Sequence, residues 1–219
     1  MSVWLVVPVK SLREGKSRLA PALEPGQRSA FVERLLAHTL EQAAQFPGLE
    51  RTLVVSTCEQ ARARASACGA RALEERAPVG LNDALCQAKT ALGELGATRM
   101  LMVACDLPLL SAEDLRRLAS AASAHTISLA PDRGGQGTNG LCLPLPAPFE
   151  FAFGPNSFAR HLSCAQRLGM RSAIVERAGL AFDVDMPEDL TVLRALELSP
   201  PHRWSAAEDV HATPARSKS

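Results

Sequence analysis

The sequence predicts an α/β fold, a single domain with a mostly parallel mixed sheet flanked by helices, and three observations carry that prediction. Short apolar or β-branched runs (Val3–Val7, Leu53–Ser56, Met100–Ala104) alternate with segments whose apolar residues recur at helical spacing. The first and last of these runs lack the polar alternation of a half-exposed strand, as expected for strands covered on both faces. Proline, glycine and serine punctuate the alternation where helices would start and stop.

The elements follow in order. Val3–Val7 is the first strand and leads into a long polar loop. Pro25 stands where a helix loses least by lacking an N–H. Phe31, Leu35, Leu36, Leu40 and Ala43 then recur at helical spacing until Pro47-Gly48 ends the helix. Leu53–Ser56 is the second strand, followed by an Ala/Arg helix to Cys68 and a weak third strand at Arg71–Glu74. A helix from about Asn82 to Leu95 precedes the strand Met100–Ala104. Ser111, with Asp114 three residues on, approximates a capping box for the next helix. Ile127–Ala130 and Leu141–Leu143 are short strands flanking a glycine-rich loop. Helices at Ser157–Leu168 and Pro187–Leu196 bracket a strand at Ser172–Glu176.

The domain is expected over residues 1–199, with the polar, proline-containing stretch 200–219 a disordered tail. Hydrophobic residues at 47% and charged residues at 21% are globular proportions. A net charge of +1 argues against a broad nucleic-acid interface or a polybasic membrane patch. No apolar run approaches the ~20 residues of a membrane span, and the N-terminus lacks the pattern of a signal peptide. The six cysteines have neither zinc-knuckle nor redox-dithiol spacing, so they read as reduced packing residues of a cytoplasmic protein.

Sheets of this kind bind ligands beyond the carboxyl ends of their strands, which selects the loops to read. After the first strand come Lys10, Lys16 and Arg18. Only four of the 24 lysine and arginine residues are lysine, and two of them stand here. A compact ammonium suits a polyphosphate, although the loop is neither a P-loop nor a GxGxxG turn and a solvated loop is the plain alternative. Asp106 ends the apolar strand Met100–Ala104 and precedes Leu107-Pro108, a place for a Mg²⁺ carboxylate or for a turn residue. Pro131–Gly140 packs four glycines with Arg133, Thr138 and Asn139, so its amides could line an anion site. In Phe153-Gly154-Pro155-Asn156-Ser157-Phe158 a helix start offers amides and a hydroxyl to a phosphate or carboxylate. His161 follows on the same helical face, where a lone histidine is more often structural. Asp183 and Asp185 point to one side of an extended segment and repel unless a cation joins them; Asp185 can also cap the helix opened by Pro187.

Taken in this order, the segments resemble the guanylyltransferases of coenzyme F420 biosynthesis, the CofC family of MobA-like nucleotidyltransferases. The resemblance runs from about Val3 to Leu196. It is carried by Pro8-Val9-Lys10 with Lys16-Ser17-Arg18-Leu19, Gly80-Leu81-Asn82, Asp106-Leu107-Pro108-Leu109, Pro131–Gly135 with Gly137-Thr138-Asn139, Phe153–Phe158 with His161, and Asp183–Leu190. It implies a Rossmann-like nucleotidyltransferase fold, GTP as donor, Mg²⁺ as cofactor and pyrophosphate as leaving group. The implied acceptor is a phosphorylated three-carbon acid: 2-phospholactate, phosphoenolpyruvate or 3-phosphoglycerate. Position by position, Thr138, Gly154 and Ser157 match acceptor-binding residues, and Asp106, Asp183 and Asp185 match the metal site. Gly80, Leu81 and Asn82 lie where related enzymes read the base. Lys16 and Arg18, joined by Lys10, would screen the triphosphate, with Lys16, Arg18 and Asp106 the catalytic set.

The implied partners are the two small substrates, with no nucleic acid and no membrane; a homodimer is left open. Asn156 departs from an expected glycine, implying a narrower pocket or an added hydrogen bond, and Cys105 replaces the usual alanine, implying a change in packing alone. Two rivals remain. A transferase acting on the molybdenum cofactor would open with a Leu-Ala-Ala-Gly type loop, which Val7-Pro8-Val9-Lys10 does not match. A non-catalytic nucleotide-binding domain would not need both acidic segments and both acceptor loops.

Overall fold

A computed structural model describes residues 2–12, 15–77 and 80–197; the expected tail, 200–219, lies outside them. Among these residues seven strands form one sheet: β1 (Val3–Pro8), β2 (Thr52–Ser56), β3 (Arg71–Glu74), β4 (Arg99–Val103), β5 (Thr126–Pro131), β6 (Thr138–Pro144) and β7 (Arg171–Ile174). Their order is β3-β2-β1-β4-β6-β5-β7. β1 pairs in parallel with both β2 and β4, and β2 with β3. β6 runs antiparallel between β4 and β5, and β7 is parallel to β5. Both edges are short: β3 and β7 have four residues each, begin with Arg71 and Arg171, and are largely exposed.

Among the described residues seven α-helices cover the faces: α1 (Pro25–Gln45), α2 (Glu59–Ala67), α3 (Leu81–Glu94), α4 (Ala112–Ala121), α5 (Ser157–Arg167), α6 (Ala178–Ala181) and α7 (Pro187–Glu197). The expected boundaries recur within a few residues. Pro25 occupies the first turn of α1, where Glu24 and Gln27 form a reciprocal capping box. Ser111 and Asp114 do the same for α4. The four-residue α6 was not anticipated.

Side-chain alternation along the strands divides the core. Val3, Leu5 and Val7 of β1 pack with Leu101 and Val103 of β4 under Leu36 of α1 and Leu115 of α4. Trp4 and Val6, with Met100 and Met102, face Leu85 and Leu92 of α3 and Cys164 of α5. A third cluster positions the site. Leu19, from the loop after β1, packs with Phe182, Val184, Leu190 and Leu193, from the segment before α7 and from α7 itself. Leu19 and Val184 are wholly buried, each contributing about 1.5–3 kcal/mol. This contact carries the first lysine-bearing loop to the last acidic segment.

Candidate active site

The chain leaves β1 toward β2 on one side, while β4 lies on the other, so the crevice beyond β1 and β4 is the topological switch point. A cavity of about 1060 Å³ opens there. That is at the upper end of small-molecule sites, about 300–1,000 Å³, and leaves room for two ligands.

Lys16 reaches the cavity through a constrained loop. A Cβ on Gly15 would fall 2.7 Å from the Ser11 carbonyl oxygen, so the loop needs glycine there. Lys16 itself is left-handed, φ 58° and ψ 40°, a conformation costing a non-glycine residue about 1–2 kcal/mol. A single 3₁₀ turn, Ser17–Leu19, then drops Leu19 into the third cluster. The Lys16 ammonium lies 2.5 Å from Asp106 Oδ2 and 2.6 Å from Asp185 Oδ1, with 11% of its side chain exposed. Burial works to lower its pKa, but the Asp106 and Asp185 charges outweigh it and hold the ammonium above the usual lysine range. Arg18 is exposed and stands 3.7 Å from Asp185 Oδ2. Lys10 is exposed at the cavity wall.

The two acidic segments meet. Val184 N–H donates to the Asp106 carbonyl at 3.3 Å, tying the turn after β4 to the extended Asp183–Asp185 segment. Burial, then the Asp106 charge and more weakly that of Asp185, raise the Asp183 carboxyl above the ordinary value; Asn139 Nδ2 donates to it at 3.4 Å. Asp189 fixes the turn by accepting the Asp185 and Met186 amides at 2.9 and 2.7 Å, and Arg133 holds its other oxygen. Asp106 Oδ1 is buried and has no hydrogen-bond partner among the described residues, a costly state that calls for a further ligand. Among the described residues no three acidic, histidine or cysteine side chains already stand at metal-cage spacing. The donor set nevertheless fits Mg²⁺, which takes one or two carboxylates and completes its shell with phosphate and water. Burial and the Asp106 charge push the Cys105 thiol up to about 12, so it stays protonated.

Thr138, Gly154 and Ser157 line the same cavity. Leu141 and Leu143 of β6 face α3 and α5, and strict alternation would put Asn139 on that side and Thr138 on the other. The pairing of β6 with β5 shifts by one residue at this end, from Ala130↔Gly140 to Pro131↔Thr138. The shift re-aims both side chains, as bulges beside functional sites do. Thr138 meets Ser157 and His161 of α5, and Asn139 meets Asp183. Gly154 has φ 122°, open only to glycine. Asn156 has φ 55° and ψ 32°, which explains why glycine was expected there: asparagine is a non-glycine residue that tolerates this region. Its side chain is exposed and is not among the cavity-lining residues, so it does not narrow the pocket.

Two expectations meet a different geometry. Asn82 is not among the residues lining this cavity; its amide accepts from Phe153 N–H at 2.8 Å and donates to Phe153 O at 3.2 Å, clamping α3 to the segment before α5. Gly80 and Leu81 beside it do line the cavity. The glycine loop does not offer all its amides to an anion, because Asp132 already accepts those of Gln136 and Gly137, each at 2.9 Å. The Arg133 guanidinium is paired with Asp189 and lies over the Phe182 ring, 4.6 Å from its centre. Glu75 was missed: it lines the cavity at the end of β3 and accepts the Gly80 amide at 2.7 Å. The strand-end rule that found Asp106 would have found it, had so short and polar a strand been trusted.

The chain shares its fold with a Desulfovibrio desulfuricans G20 protein of the nucleotide-diphospho-sugar transferase type, at TM-score 0.77 and 13% identity over 94% of this chain and 92% of that one. A nucleotidyl transferase from Methanothermobacter superposes with TM-score 0.61 and 19% identity over 90% of this chain and 98% of that one. Together with the enzymes it resembles in sequence, this fold makes the chain a nucleotidyltransferase. Two such enzymes, both named phosphoenolpyruvate guanylyltransferase, come from Chloroflexus aggregans and Rubrobacter xylanophilus. The first is 39% identical over 199 residues, 89% of this chain and 98% of its own length. The second is 40% identical over 196 residues, 89% of this chain and 95% of its own length. The family model described as guanylyl transferase CofC like matches residues 3–195, and the chain belongs to that family.

Proposed function

We propose that this chain transfers GMP from GTP to phosphoenolpyruvate, releasing pyrophosphate, in coenzyme F420 biosynthesis. The observation that carries the reading is the Lys16 ammonium held between Asp106 and Asp185 at the wall of a two-ligand cavity. The names of the relatives support phosphoenolpyruvate over 2-phospholactate and 3-phosphoglycerate.

An oxygen of the acceptor's phosphate attacks the α-phosphorus of GTP, and the bond from that phosphorus to the pyrophosphate oxygen breaks. A phosphate monoester, with its second pKa near about 6, is already ionised at pH 7, so the step needs no general base. What remains is to bring two polyanions together in line. Lys16 turns from its carboxylates to the triphosphate, and Arg18 and Lys10 meet the same charge from the rim. Asp106, Asp183 and Asp185 would hold Mg²⁺, which would supply charge neutralisation for the phosphates brought together there. Gly80 and Leu81 form the wall for the base, and Thr138, Gly154 and Ser157 hold the acceptor. The protein acts as a cytoplasmic enzyme; among its described residues no helix is long and apolar enough to cross a membrane.

Mass spectrometry of the product made from GTP and an equal mixture of the three acids tests the reading. Guanylylated phosphoenolpyruvate is expected. A product from one of the other two acids overturns the acceptor, and no nucleotidyl product with any of them overturns the transfer.

A further inference from the structure

We infer that His161 is a positioning residue for the acceptor: it orients the Thr138 hydroxyl so that its proton points into the cavity. The inference rests on the acceptor reading above. The imidazole is fully buried, with ring centres 5.8 Å from Phe149 and 4.7 Å from Phe153. Its Nε2 lies 3.0 Å from the Ala152 amide nitrogen. A backbone amide can only donate, so Nε2 carries the lone pair and the neutral ring bears its proton on Nδ1. Burial, then the Arg160 charge, push the ring's pKa down to about 4, so that tautomer persists at neutral pH. Nδ1 stands 3.0 Å from Thr138 Oγ1 and therefore donates to it.

Ser157 Oγ donates to the same oxygen at 3.3 Å. A hydroxyl oxygen has two acceptor positions, and His161 and Ser157 fill both. The Thr138 proton is left for a third partner, and the cavity is where Thr138 and Ser157 both open. A carboxylate or phosphate oxygen accepts and never donates, which matches a hydroxyl held in this sense. Without the Nδ1 proton, Thr138 is free to turn its hydrogen onto Ser157 and show a lone pair to an anion. His161 is not among the cavity-lining residues, so it acts through Thr138.

The test compares His161→Asn, whose amide reaches the Nδ1 position, with His161→Gln, whose amide reaches the Nε2 position, beside Thr138→Val. A hydrogen bond to a charged group is worth roughly tenfold or more in affinity. His161→Gln and Thr138→Val should raise the phosphoenolpyruvate KM by that factor and leave the GTP KM unchanged, while His161→Asn restores most of the loss. If Thr138→Val raises the acceptor KM but the Gln and Asn variants behave alike, the positioning role is wrong and the acceptor site stands. If Thr138→Val leaves the acceptor KM unchanged, the acceptor reading itself fails. Long-range ¹⁵N–¹H NMR of the wild-type ring gives an answer that does not depend on variants folding: a proton on Nδ1 is expected, and one on Nε2 overturns the inference.

Discussion

Replacing Lys16 by Met keeps the aliphatic stem and deletes the charge that joins Asp106 to Asp185. The wild-type ammonium makes contacts of 2.5 and 2.6 Å with an 11% exposed side chain. Removing one member of a buried pair costs about 3–5 kcal/mol. Asp106 and Asp185 are 28% and 43% exposed, so water screens what is left, and about 2–3 kcal/mol is the fitting figure. For a domain of this size Tm moves about 2–4 °C per kcal/mol, so Lys16→Met should melt about 4–12 °C below wild type in EDTA. Millimolar Mg²⁺ should recover much of that loss by supplying the missing cation, whereas wild type, already neutralised by its own lysine, should shift little. Differential scanning fluorimetry reads both. A variant as stable as wild type in EDTA and indifferent to Mg²⁺ would refute the claim that these carboxylates need a cation.

Three further outcomes follow from the same geometry. Asp106→Asn should lower pyrophosphate release by at least about a hundredfold, while Lys16 keeps Asp185 and the melting temperature stays near wild type; normal turnover would sink the metal assignment. Asp183→Asn should melt higher than wild type at neutral pH without metal. The native carboxyl is raised above 3.8, so its share of stability is present below that value and lost as pH rises through the folded pKa; an advantage that grows toward acid would reverse the sign. Asp189→Ala removes the caps on the Asp185 and Met186 amides and the partner of Arg133, at about 1–3 kcal/mol; an unchanged urea midpoint would show that the turn holds without it.

Local chemistry made much of this legible in the residues alone. Pro25, Ser111 with Asp114, and Pro187 announce helix starts because their backbone requirements are met within a turn. Asp106 stood out because a carboxylate interrupts an apolar strand at its tip. The antiparallel direction of β6 was not legible, since a strand's composition does not record which way its partner runs. Nor were the clamps: Asn82 with Phe153 and Arg133 with Asp189 join residues 71 and 56 positions apart, and nothing local in the sequence pairs them. The re-aimed Thr138 depends on a one-residue register shift that no periodicity signals.

The four-residue edges of the sheet bear on how the protein behaves in crowded solution. A neighbouring molecule seeking to extend the ladder finds only a few unpaired amides and carbonyls at β3 or β7, and an arginine at the start of each. Charge and brevity at both ends deny fibrous stacking a template, so a sheet rich in valine and leucine at its centre stays closed to copies of itself along its borders.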